Sequence, residues 1–294
     1  MSALRSGSVM AMSTALANSG GRSLQRWTVG FAICAVVALG IGIARGQEDD
    51  SKHDRMDAEF HFARMIYQDL RGGGGYGGGG FRRGRFRGGF GRGWWMQDWP
   101  EAETHLRQAV QRLTRIDDGE SVTVDLHDGR VFDYPWLYAT QVGYWDLSDD
   151  ELSMLREYLL RGGFLMTDDF WDDYEWQVFK DTMTRLFPDR PIVEIPGGND
   201  AVLHVLYDID SFTQIPGLRH IGYGYNPATG RIPGLPEPHW RGIYDDKGRL
   251  MIAINFNQDV GDAWEEADTP SYPVPMTALA YRVAINYIIY AMTH

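Results

Sequence analysis

The sequence predicts an α/β protein built on an open, mostly parallel sheet flanked by helices and finished by a C-terminal hairpin and helix. Three observations predict it. Short apolar runs alternate with longer stretches of helical periodicity over residues 59–195, the pattern of strands joined through helices. Residues 134–167 read as a strand, a capped helix, a Gly-Gly stop and a second strand, a βαβ unit whose strands run parallel. Two apolar runs, 242–244 and 250–256, flank the turn Asp245-Asp246-Lys247-Gly248 and make a hairpin.

Taken in order, residues 59–68 alternate partly and carry aromatic and branched side chains, so they form the first strand. Residues 100–115 form a helix. Pro100 suits its first turn, and Leu106, Ala109, Val110 and Leu113 share one stripe. Residues 121–126 are a strand, His127-Asp128-Gly129 a turn, and 134–140 a buried strand. Ser148 and Glu151 make a capping box. Leu152, Leu155, Tyr158 and Leu159 give the helix that follows an apolar face, and Gly162-Gly163 end it. Residues 164–167 are a short apolar strand. The next helix covers 174–187, with Asp172 or Asp173 at its cap, and Pro188 stops it. Residues 191–195 form a short strand. Residues 196–240, rich in Pro and Gly, are irregular with helical turns around 203–207. Residues 276–292 close the chain as a helix.

The ends and the charge set an address. Residues 1–46 hold four Arg and no acid. Arg22 and Arg26 precede an apolar run over 27–44, and Ala44-x-Gly46 ends it before Gln47. This is the order of a secretory signal. Its rival is an uncleaved anchor in the inner membrane, since the run is long enough to span a bilayer. In either case the folded part is extracytoplasmic, and any membrane contact is through this segment. Residues 47–58 are a polar linker, and 59–294 are the domain. Within it, 13 of the 22 residues 72–93 are Gly and five are Arg, so this insert is expected to be a disordered loop. Arg-Gly stretches also occur in RNA-binding proteins. The residues beyond 46, however, carry 24 basic against 40 acidic groups, which argues against nucleic acid as a partner of the folded part.

Several chemistries are excluded. None of the three Lys residues lies in a P-loop context. Cys34, the only cysteine, lies in the N-terminal segment, and no Ser beyond residue 47 has a G-x-S-x-G context. Nucleophilic hydrolysis from a strand–helix elbow therefore has no nucleophile. The His residues lack metal-ligand spacing.

Carboxylates are the remaining candidates. Asp168 and Asp169 follow one predicted strand, Asp259 and Asp262 another, and Asp98 follows the insert after the first. In open α/β sheets ligands bind beyond the carboxyl ends of strands. Convergence of Asp168, Asp169 and Asp259 would suit Mg²⁺ or Ca²⁺ as cofactor. The alternative is that each Asp caps its own helix or turn. Gln141, Tyr144 and Trp264 border the same loops as further ligand-binding candidates, and aromatics beside acids suit a carbohydrate or peptide.

The stretch 134–140, Leu147-Ser148-Asp149-Asp150-Glu151, and Tyr158 through Asp169 resemble the bacterial domain of unknown function 4159. Gly248 through Asn255, Asp259-Val260-Gly261-Asp262-Ala263-Trp264-Glu265 and the last helix resemble its C-terminal half. The likeness covers about residues 59–294. It implies a flavodoxin-like fold related to class I glutamine amidotransferases, and no established activity. Many members carry Thr-Gly-His-Gly where this chain has Thr140-Gln141-Val142-Gly143, so any chemistry of that His is missing here. The expectation is an exported, non-catalytic amidotransferase-like binding domain in the cell envelope. The alternative is a metal-assisted hydrolase acting on a glycan or peptide.

Overall fold

The computed structural model describes residues 58–70, 93–195, 200–210, 213–226 and 228–294. All fall within one unit, Ser51–His294. In chain order the elements are β1 (Ala63–Ile66), α1 (Glu101–Leu113), β2 (Val122–Asp125), β3 (Trp136–Thr140), α2 (Asp149–Leu160), β4 (Phe164–Phe170), α3 (Asp172–Leu186), β5 (Val193–Glu194), α4 (Leu218–Ile221), β6 (His239–Tyr244), β7 (Leu250–Phe256), α5 (Val260–Glu265) and α6 (Val274–Thr293).

The strands make one seven-stranded sheet in the order β2-β1-β3-β4-β7-β6-β5. From β2 to β7 all neighbours are parallel. The β7–β6 and β6–β5 pairs are antiparallel. The sheet is thus open, mostly parallel and flavodoxin-like in the order of its first five strands. Strands β3, β4 and β7 are buried along their whole length, as parallel strands covered on both faces must be. Alternation along β3 sends Trp136 and Tyr138 to one face, where they pack with Phe62, Trp264 and Tyr287. Leu137 and Ala139 face the other side, with Leu155, Phe179 and Ile252.

Local chemistry explains the helix ends. Ser148 and Glu151 complete the capping box of α2, and Gly162 leaves that helix at φ 115°, a conformation that favours glycine. Asp259 caps α5, a helix not foreseen from the sequence, by accepting from the Asp262 N–H.

Four expectations are corrected. β1 is shorter than 59–68, because its outer neighbour β2 offers only four residues to pair with. β4 continues past Thr167 to Phe170: Thr140 pairs with Asp168 and Phe256 with Phe170, so flanking strands carry it on through its acidic end. α3 begins at Asp172 with Trp171 as its cap residue. Neither Asp172 nor Asp173 caps it, and the Glu175 carboxylate accepts from the Trp171 N–H at 2.6 Å. β6 begins at His239, inside the stretch expected to be irregular, because β7 pairs with it from Phe256 onward. The signal or anchor segment 1–46, the linker up to residue 57 and the insert up to residue 92 lie outside the described residues. Among the described residues no helix is long and apolar enough to cross a membrane.

Candidate functional site

The carboxyl ends of β1, β3, β4 and β7 lie along one edge of the sheet, and the acidic residues meet there. Asp98 comes from the connection between β1 and α1. Arg64, 1% exposed on β1, holds this connection: its guanidinium donates to the carbonyls of Trp95 and Gln97 at 3.0 and 2.9 Å and pairs with Glu103 of α1. Gln141 follows β3 in the left-handed region at φ 54°. Asp168 and Asp169 lie just before the last residue of β4, where the register shifts between Thr167 and Phe170 and Asp169 takes φ 48°. Asp259 and Asp262 follow β7, at the cap and in the first turn of α5.

One oxygen from each of Asp98, Asp169 and Asp259 lies within 4.8 Å of the others, and all three residues are buried. Asp98, Asp262 and Glu265 form a second such group, with Asp262 and Glu265 half-buried. Asp169 accepts from Gln141 Nε2 and from Trp171 Nε1 at 2.8 Å. Gln97 Nε2 donates to Asp98 Oδ1 at 2.8 Å, while Asp98 Oδ2 is buried without a hydrogen-bond partner. Asp168 is fully buried beside these groups. Its Oδ2 accepts from the Tyr138 hydroxyl at 3.1 Å and the Gly261 N–H at 2.8 Å.

Two glycines admit this density of carboxylates. A Cβ on Gly217 would come within 2.4 Å of Asp259 Oδ2, and one on Gly261 within 2.6 Å of Asp98 Oδ2. Countercharge is sparse. Arg219, more than half exposed, stands 3.8 Å from Asp169 Oδ1.

Burial and mutual repulsion push the carboxyls up. Asp98 and Asp259 rise well above the usual range, through burial first and neighbouring acids second. Asp168 rises to about 7 through burial and the charge of Asp169. Glu265 rises to about 8 through burial and Asp262. The neighbouring His220 is lowered to about 4 by burial and Arg219.

Oxygen donors with excess negative charge are what a hard divalent cation takes. Two ligand oxygens on one ion cannot be farther apart than twice the metal–oxygen distance. That limit is about 4.8 Å for Ca²⁺ and about 4.1 Å for Mg²⁺. The carboxylate oxygens of Asp98, Asp169 and Asp259, within 4.8 Å of one another, lie close enough together to share one divalent cation after small adjustments.

The residues singled out from the sequence separate into groups. Asp98, Asp169 and Asp259 come together, and Asp262 joins Asp98 from the other side. Asp168 stands behind them, tied to Tyr138 and Gly261. Gln141 reaches the site as a donor to Asp169. Tyr144 stacks on Trp94 with ring centroids 4.7 Å apart. Trp264 is fully buried in the core against Tyr138 and Phe62. Asp259 is both cap and cluster member, so the two readings of it were never exclusive. Glu265, Arg64, Gly217 and Gly261 were missed. Only Glu265 had a signal, its place one helical turn beyond Asp262. A separate cleft of about 490 Å³, lined by Trp176, Lys180, Phe187, Arg190 and Arg241, shares no residue with the acidic site.

The family model described as "Domain of unknown function (DUF4159)" matches residues 85–292, a span that holds every residue of the acidic site. No curated protein matches the chain.

Proposed function

The chain belongs to the DUF4159 family, and we propose that it is an extracytoplasmic binding domain organised around a divalent cation. One observation carries the reading: Asp98, Asp169 and Asp259 place three carboxylate oxygens within 4.8 Å of one another, and all three residues are buried. Without a cation, that concentration of acid opposes folding. With one, it becomes a rigid oxygen-lined site.

Export is part of the proposal and is supported by the Arg26, apolar run and Ala44-x-Gly46 order. N-terminal sequencing of protein taken from cells should read from Gln47. The partner is an envelope protein or a carbohydrate or peptide ligand engaged at the sheet edge. The amidotransferase-like relationship belongs to the same proposal and is supported by the order of the parallel strands. The same convergence of acids is what metal-assisted hydrolysis of a glycan or peptide requires, so that activity is the second reading.

Thermal melts of the full chain test the first. Ca²⁺ or Mg²⁺ should raise Tm in a concentration-dependent way, since the ion binds the native state. Asp169→Asn and Asp259→Asn should each remove the response. A wild-type Tm indifferent to both ions rules out the cation site, and turnover of glycan or peptide substrates that depends on the ion selects the hydrolase.

A further inference from the structure

Asp98 belongs to two carboxylate groups at once. Its oxygens lie within 4.8 Å of one oxygen from each of Asp169 and Asp259, and within the same distance of one from each of Asp262 and Glu265. A carboxylate in that position is placed as a bridge. Its own bonding is in keeping with this. Asp98 Oδ1 takes a single hydrogen bond, from Gln97, and keeps a lone pair. Asp98 Oδ2 takes none, although the residue is only 5% exposed. An unpaired buried acceptor is costly, and this one is packed close against Gly261. A Cβ on Gly261 would stand 2.6 Å from Oδ2 and 2.4 Å from the Tyr138 hydroxyl.

We infer that the site holds two divalent cations bridged by Asp98, an inner one on Asp169 and Asp259 and an outer one on Asp262 and Glu265. The inference rests on the cation reading above and deepens it. The two ions differ in access. The inner group is buried on all three residues, whereas Asp262 and Glu265 are half-buried. The inner cation is held by three buried carboxylates. The outer cation keeps coordination positions toward solvent, and these take a hard oxygen ligand such as a carboxylate, a phosphate or vicinal sugar hydroxyls. Ions sharing one carboxylate sit about 3.5–4 Å apart, close enough for their unpaired electrons to couple.

Mn²⁺ is the probe, added to the metal-stripped full chain and followed by calorimetric titration and electron paramagnetic resonance. The wild type should take up two ions. Its spectrum should change, between the first equivalent and the second, from that of an isolated ion to that of a coupled pair. Glu265→Gln should bind one ion with an uncoupled spectrum, and Asp98→Asn should lose affinity for both. The coupling is read on the wild type alone, so the inference stands or falls even if a variant does not fold. Two ions with independent spectra, or one ion whose binding Glu265→Gln leaves unchanged, overturn the bridge while the single-cation reading survives. No uptake by the wild type overturns both.

Discussion

Gly261 lies against Asp98 so closely that a methyl group there would meet Asp98 Oδ2 at 2.6 Å, while the Gly261 N–H donates to Asp168. One residue at the start of α5 thus leaves room for one carboxylate and anchors another. Gly261→Ala must push Asp98 or α5 aside, at a cost of about 1–3 kcal/mol for overpacking a dense interior. Chemical denaturation should show that loss, and Ca²⁺ should no longer raise Tm. A variant with wild-type stability and an unchanged ion response would mean that the close approach of Gly261 to Asp98 has no function.

Arg64 and Glu103 are 1% exposed and paired, and the same guanidinium grips the carbonyls just ahead of Asp98. Arg64→Met leaves Glu103 as a buried unpaired charge, which costs about 3–5 kcal/mol. The double variant Arg64→Met, Glu103→Met removes both charges and should recover much of that loss. Its Ca²⁺ affinity should stay reduced, because the carbonyls of Trp95 and Gln97 have lost the donor that fixes the Asp98 loop. Stability and ion binding therefore part company in the double variant. If they recover together, Arg64 is structural and does not position the site.

What was legible in the sequence follows the range of the interactions. The capping box of Ser148 and Glu151 and the stop at Gly162 are settled within a few residues, and both form. The placement of Asp168, Asp169 and Asp259 at strand ends follows from strand–helix alternation, which needs no tertiary knowledge. The extension of β4 to Phe170 was not legible, because Thr140 and Phe256 on neighbouring strands decide it. The meeting of Asp98 with Asp169 depends on a guanidinium 34 positions earlier gripping the loop. The roles of Gly217 and Gly261 exist only once carboxylates from other elements stand against them. Trp264 reads as a loop aromatic, yet it turns inward because α5 packs that side of the sheet.

The insert is closed at its base. The Trp94 N–H donates to both oxygens of Asp69, at 3.1 and 3.3 Å, so the chain leaving β1 and the chain returning toward α1 are already tied together. Joining Leu70 to Gly93 directly therefore asks little of the fold. Loop-closure entropy changes slowly with length, by about 0.6 kcal/mol per doubling. Deleting residues 71–92 should leave the unfolding free energy within about 1 kcal/mol of wild type. A loss of several kcal/mol would mean that the insert packs against the domain.

Glu175 gives the metal-free protein a pH signature. Its carboxylate accepts from the Trp171 N–H at 2.6 Å, and burial raises it to about 7, with Asp169 adding to the rise and Tyr144, the Trp171 N–H and Arg219 opposing it. The sign follows from proton counting. Between the ordinary Glu value of about 4.3 and this raised one, the folded chain keeps a proton that the unfolded chain has released. Stability is therefore fullest below the ordinary value and falls as pH rises, flattening near 7. The loss is on the order of 3 to 4 kcal/mol over that window. The buried aspartates act in the same direction, so the difference between wild type and Glu175→Gln isolates this one residue. The Gln oxygen still accepts from the Trp171 N–H and carries no charge. Denaturation of both proteins in chelator, from pH 4.5 to 8, should show the variant gaining on the wild type as pH rises and holding a constant lead above 7. Parallel profiles across the range would refute the assignment.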